Sequence, residues 1–166
     1  MKRMTLAAQF LSATLLLLFS AALKPAFAAG AVEMQVEHML MQAIDEYNAV
    51  SESGEIANWT KYFTDNVNRR SPLNEQTGKK DVGDYYAWEF KNFQAKMDPK
   101  KVLVSGRAGV VVFMWEGTHK SSNTPVKVEM VGIFEMASSG RFDKVTYFYD
   151  TAKVGKLLSD SAAAAK

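Results

Sequence analysis

With 166 residues, 48% hydrophobic, 11% aromatic and no cysteine, the chain has the size of one domain with one core. It excludes disulfides and thiolate metal sites, so packing must supply stability. The formal net charge is +2, and the Lys79-Lys80 and Lys100-Lys101 pairs are isolated, which excludes the basic stripe that a nucleic-acid partner would need.

Residues 1–28 carry the three parts of a secretory signal peptide. Lys2 and Arg3 give a positive start, Leu11 to Leu23 an apolar stretch, and Ala26-Phe27-Ala28 an A-x-A cleavage site. The apolar run is short for a membrane span of ~20 residues and ends at Pro25. The expected product begins at Ala29, is periplasmic or secreted, and has no membrane contact after cleavage. Without Lys2, Arg3 and Lys24, 17 basic residues face 18 acidic ones over 138 residues, a balance of −1.

Val36, Leu40, Ala43, Ile44, Tyr47 and Val50 recur at three- and four-residue spacing and predict a helix over Glu33 to Ser53, stopped by Gly54. Ile56, Trp59, Tyr62 and Phe63 predict a second, shorter helix, broken by Asp65-Asn66. A brief extended piece, Val67 to Ser71, ends at Pro72, and Leu73 to Lys80 reads as a polar loop. Val82, Tyr85, Tyr86, Glu89 and Phe93 predict a third helix, from Asp81 to Lys96, closed by Asp98-Pro99. From Lys101 the residues become β-branched and aromatic. Four strands are expected in an antiparallel meander: Lys101 to Ser105, Gly109 to His119, Val126 to Met136 and Phe142 to Asp150. Helices in front and a sheet behind make an α+β domain, its sheet curved around the helices. Residues 153–166 are expected to form a flexible tail, alanine-rich from Ser161.

Three passages carry a resemblance. They are Tyr47 to Glu55 leading into Trp59 and Phe63-Thr64-Asp65-Asn66-Val67; Thr77-Gly78-Lys79-Lys80; and Gly132 to Met136 through Gly140-Arg141-Phe142 to Tyr147-Phe148-Tyr149-Asp150. In this order and spacing the chain resembles the NTF2-like superfamily, within it the SnoaL-like and ketosteroid-isomerase-like branch, over about residues 33–152. The resemblance implies an NTF2-like cone over residues 29–152, three N-terminal helices packed on a curved antiparallel β-sheet. It also implies a deep apolar pocket, the usual ligand site of such a shape. It does not name an activity, because one fold hosts many.

Carried over residue by residue, the steroid isomerases' tyrosine falls on Tyr47. Their carboxylate base falls on Ser71, before Pro72, and their protonated acid on Gly132, so both carboxyl groups are missing. A serine hydroxyl takes no proton from carbon without a base of its own. The acidic residue that SnoaL-type cyclases and epoxide hydrolases of this fold use on the final strand falls near Tyr147.

Glu116 and His119 lie three apart on a predicted strand and face opposite ways, so they make no metal site. His38 reads as solvated. No G-x-S-x-G turn organises Ser71, Asp150 and a histidine into a triad. Arg69 and Ser71 share one face of the extended piece, which the family match turns toward the pocket. A buried guanidinium there would call for an anion, whereas one at the rim would not. Tyr47, Trp59, Arg69, Ser71, Tyr86, Trp115, Met130, Phe134 and Phe148 are the expected ligand-binding residues; the catalytic set is unassigned, and no metal or cofactor is implied. Three readings follow. The first is an exported binder of a small apolar or amphiphilic molecule, anionic if Arg69 faces inward. The second is an isomerase, lyase or hydrolase with Tyr47 as acid and Glu129 or Asp150 nearby. The third is a homodimeric interaction module with a filled cone and an apolar outer sheet face.

Overall fold

The computed structural model describes residues 30–155. The expected signal peptide, 1–28, and residues 156–166 of the expected tail lie outside the described residues. Helix α1 covers residues 30–53, and Val36, Leu40, Ala43, Ile44, Tyr47 and Val50 are all buried on one side of it, as the spacing predicts. Gly54 ends it in a left-handed conformation, φ 76°, with its N–H on the Val50 carbonyl. Helix α2 is shorter than expected, Ile56–Thr60, and α3 is Lys79–Asn92. A last helical turn, α4, covers residues 151–155, where the flexible tail was expected to begin at residue 153. Among the described residues no helix is long and apolar enough to cross a membrane.

The sheet has six strands rather than four: β1 Phe63–Arg70, β2 Glu75–Thr77, β3 Phe93–Ser105, β4 Ala108–His119, β5 Thr124–Met136 and β6 Phe142–Tyr149, in the order β2-β1-β6-β5-β4-β3. The meander of β3 to β6 is antiparallel as expected, whereas β1 pairs with β6 in parallel. Two expectations give way. The extended piece is a full strand whose hairpin partner β2 lies inside the expected polar loop. The third helix stops four residues early because burial switches period: Phe93, Ala95 and Met97 are buried while Gln94 and Lys96 are exposed. Pro99 is tolerated because β3 is an edge strand and its register shifts between Pro99 and Lys101.

Helix α1 is tied to that edge. The Asn48 side chain donates to the Met97 carbonyl at 3.0 Å and accepts from the Met97 N–H at 2.8 Å, and the Ser51 hydroxyl accepts from the Ala95 N–H at 2.9 Å. Two α1 side chains thus act as a short stretch of missing strand and satisfy β3 on its open side. The core fills the space between the helices and the concave sheet face, with Trp59, Tyr86, Phe63, Phe113 and Phe134 among its largest buried side chains.

Candidate functional site

Between α3 and the concave face lies a cavity of about 90 Å³. Helix α3 lines it with Tyr85, Tyr86, Trp88 and Glu89. Strands β1, β3 and β4 add Arg69, Phe93, Met97, Phe113 and Trp115; β5 and β6 add Met130, Tyr147 and Tyr149; Leu73, Asn74 and Val154 complete the lining. Leu73 and Trp88 of this lining are each 46% exposed.

Glu89 is buried, and the Tyr47 hydroxyl donates to its Oε1 in a short hydrogen bond. Trp115 Nε1 donates in turn to Tyr47 Oη at 2.8 Å. An indole N–H can only donate, so Tyr47 must spend its own proton on Glu89, and the three side chains have one hydrogen-bond direction. Burial pushes the Glu89 carboxyl above the usual carboxylate range, against the opposing pull of the Tyr47 hydrogen bond and the Arg69 charge. Burial, followed by the neighbouring Glu89, also raises Tyr47 well above the ordinary phenol value. The arrangement is a carboxyl group fixed in place, biased toward its neutral acid, and open to a cavity.

Arg69 is buried, 4% exposed. Its Nη1 donates to Asn74 Oδ1 at 2.7 Å and Gln76 Oε1 at 2.8 Å, both neutral, and the guanidinium carbon stands 3.7 Å from the Tyr85 ring centroid. Nε is buried with no partner, and among the described residues no carboxylate forms an ion pair with Arg69. Ser71 is fixed beside it, 2.9 Å from Asn74 Oδ1 and accepting from Tyr149 Oη at 3.2 Å. Tyr86 and Tyr147 join hydroxyls at 3.0 Å, and burial raises both phenols.

Of the residues expected to bind ligand, Arg69, Tyr86, Trp115 and Met130 line the cavity. Tyr47 stands behind it and reaches it through Glu89, and Ser71 through Asn74 and Tyr149. The other three lie elsewhere. Trp59 and Phe134 are fully buried packing residues, and Phe148, 51% exposed, is on the outer sheet face because its neighbour Tyr147 points inward. Glu129 is exposed on that same face, and Asp150 accepts from the Ala152 and Lys153 N–H groups at the start of α4, so neither serves the cavity. Glu89, Tyr85, Tyr147, Tyr149 and Asn74 were not singled out. For Glu89 a signal existed: it shares the helical face of Val82 and Tyr86, where a charged residue is out of place.

The empty isomerase positions have a physical reason. A Cβ on Gly132 would stand 2.8 Å from the Phe134 ring and 3.3 Å from Tyr147, so aromatic rings occupy the place of an acid there. Glu116 faces outward to Lys96 and Lys127 while His119 is buried with Nδ1 3.0 Å from Ser122 Oγ, and His38 is exposed. Among the described residues no group of acidic or histidine side chains is arranged to hold a metal ion.

The fold has many solved counterparts. A candidate SnoaL-like polyketide cyclase from Jannaschia sp. CCS1 superposes with a TM-score of 0.66 at 21% identity, over 74% of this chain and 90% of that one. A candidate isomerase from Rhodopseudomonas palustris gives 0.65 at 14% identity, over 74% and 97%. An NTF2-like protein from Anabaena variabilis ATCC 29413 gives 0.62 at 13%, over 70% and 90%. At these identities the likeness establishes the fold. No curated protein matches the sequence. The model of the SnoaL-like domain matches residues 44–145, from the middle of α1 to the centre of β6, and the chain therefore belongs to the SnoaL-like family.

Proposed function

We propose that this is an exported protein that binds a small apolar or amphiphilic molecule in the aromatic cavity under α3. The observation that carries the reading is the cavity itself: aromatic and apolar side chains make most of its lining, and Arg69, Asn74 and Glu89 add polar groups to it. The test is native mass spectrometry of protein recovered from the export compartment, compared with the same sample denatured. A small mass retained only under native conditions is expected, with the chain starting at Ala29; empty protein that also fails to take up any apolar probe would sink the binding role.

A second reading, an enzyme of isomerase, lyase or hydrolase type, is favoured by Glu89. A carboxyl biased toward its neutral form inside a pocket is suited to giving and taking a proton. Members of this fold include candidate cyclases and isomerases. In that case Glu89, rather than Tyr47, Glu129 or Asp150, handles the proton, and Glu89→Gln lowers turnover by about 10²-fold or more while leaving ligand binding in place.

We also propose a homodimer through the outer sheet face. Leu103, Val110, Val112, Val131, Ile133 and Phe148 alternate with inward residues on four neighbouring strands, and register places Val110 beside Leu103 and Ile133, and Val131 beside Val112 and Phe148. The interaction-module reading expects this face; the open cavity departs from the filled cone that it also expects.

A further inference from the structure

Arg69 is buried and permanently charged, yet every partner it has is neutral. Its Nη1 donates to Asn74 Oδ1, in the turn between β1 and β2, and to Gln76 Oε1 on β2, which together hold that nitrogen. Tyr85 covers one face of the guanidinium at 3.7 Å, with Tyr147 and Tyr86 at 5.2 and 5.5 Å. Nε is buried and has no partner, and the residue lines the cavity. Leaving a charged donor dry and unpaired is costly, so the site is incomplete without an acceptor.

Among the described residues no side chain supplies that acceptor. Glu89 is the sole acidic side chain in the cavity lining; its Oε1 is committed to Tyr47, and it forms no ion pair with Arg69 among the described residues. We infer that the cavity takes a small carboxylate, its head paired with the Arg69 guanidinium and its apolar body lying between the aromatic walls. This inference rests on the ligand-binding reading and names the chemical class of that ligand.

The head group follows from the geometry. A cavity of about 90 Å³ with one cation and aromatic walls suits a compact, planar, weakly hydrated monoanion. A phosphate dianion would bring a second charge and several acceptor oxygens that this wall does not satisfy. A guanidinium clamped at Nη1 and stacked on a ring is also pre-oriented, so little side-chain freedom remains to be lost when the acid arrives.

Matched probes separate the inference from the reading beneath it. Benzoate and hexanoate are titrated against benzamide and hexanamide at pH 7 and fixed salt, with the fluorescence of Trp88 and Trp115 and NMR shifts of the cavity residues as readouts. Each acid is expected to bind about tenfold or more tightly than its amide, and Arg69→Gln is expected to abolish that preference while the amides still bind. Arg69→Lys keeps the charge without the planar fork; should the glutamine variant not fold, loss of most of the preference in the lysine variant supports the inference and full retention overturns it. Amides that bind as well as acids, or a preference that survives Arg69→Gln, overturn the carboxylate and leave the pocket standing. If none of the four perturbs the cavity, the pocket reading fails and takes this one with it.

Discussion

Glu89 holds its proton more tightly in the folded protein than in the unfolded chain, because burial penalises the carboxylate more than Tyr47 and Arg69 favour it. Between the unfolded value, about 4.3, and the raised folded value the native state binds more protons, so this group's contribution to stability falls as pH rises. Glu89→Gln keeps the shape and removes the titration. Thermal melts from pH 4 to 8 are expected to show a shallower loss of stability toward neutral pH in that variant, and an unchanged slope would show that Glu89 does not titrate there. Tyr47→Phe deletes the hydroxyl between Trp115 and Glu89 and leaves the indole N–H unpaired. It is expected to cost about 1–2 kcal/mol in denaturant unfolding. Because the Tyr47 hydrogen bond favours the ionised form, its loss also pushes the Glu89 titration higher, which NMR of the carboxyl carbon reads directly.

At the scale of elements, Gly117 is the glycine with the least room, for a Cβ there would stand 2.1 Å from the Gln94 carbonyl oxygen and 2.7 Å from the Ala95 Cα. Backbone cannot yield there, so Gly117→Ala is expected to cost more than about 2 kcal/mol and to part β3 from β4, visible as faster hydrogen exchange at Phe93 to Met97. Asn48→Ala opens the same strand from the other side. With two hydrogen bonds lost and the Met97 N–H orphaned, about 2–3 kcal/mol is expected from chemical unfolding. These elements also show what a sequence can and cannot display. The α1 face was legible because six apolar residues at helical spacing have one explanation. The start of β3 was not, because Phe93 fits the helical spacing of Tyr86 and Glu89 as well as the alternation that follows, and Pro99 reads as a stop unless the strand is known to lie on an edge. Strand β2 has three polar residues and no pattern of its own; pairing with β1 alone makes it a strand.

On the scale of the whole molecule, the cone and its family were legible in the order of motifs, whereas the site was legible only in part. Arg69 and Ser71 announced themselves by sharing a face beside a proline. Glu89 left a local signal, a charge on the buried face of α3, but its partners and the tyrosines come together only when α3, β4 and β6 converge, which no local window contains. The outer sheet face makes a prediction here too. Phe148→Asp places a charge at the β6 end of the apolar stripe, on a residue outside the cavity lining, and it is expected to shift a dimer to monomer in light scattering while carboxylate binding persists. Loss of binding together with the dimer would mean that the two faces are coupled.

The strand made last does not lie at an edge. Strand β6 sits between β1 and β5, and its parallel pairing with β1 joins residues about 76 positions apart, as in Arg69 with Val145. Without β6 no strand pairing joins β2-β1 to β5-β4-β3, and the cavity has Arg69 on one part and Trp115 on the other. Folding must therefore wait for the whole domain to leave the ribosome, and long-range closure of this kind is slow.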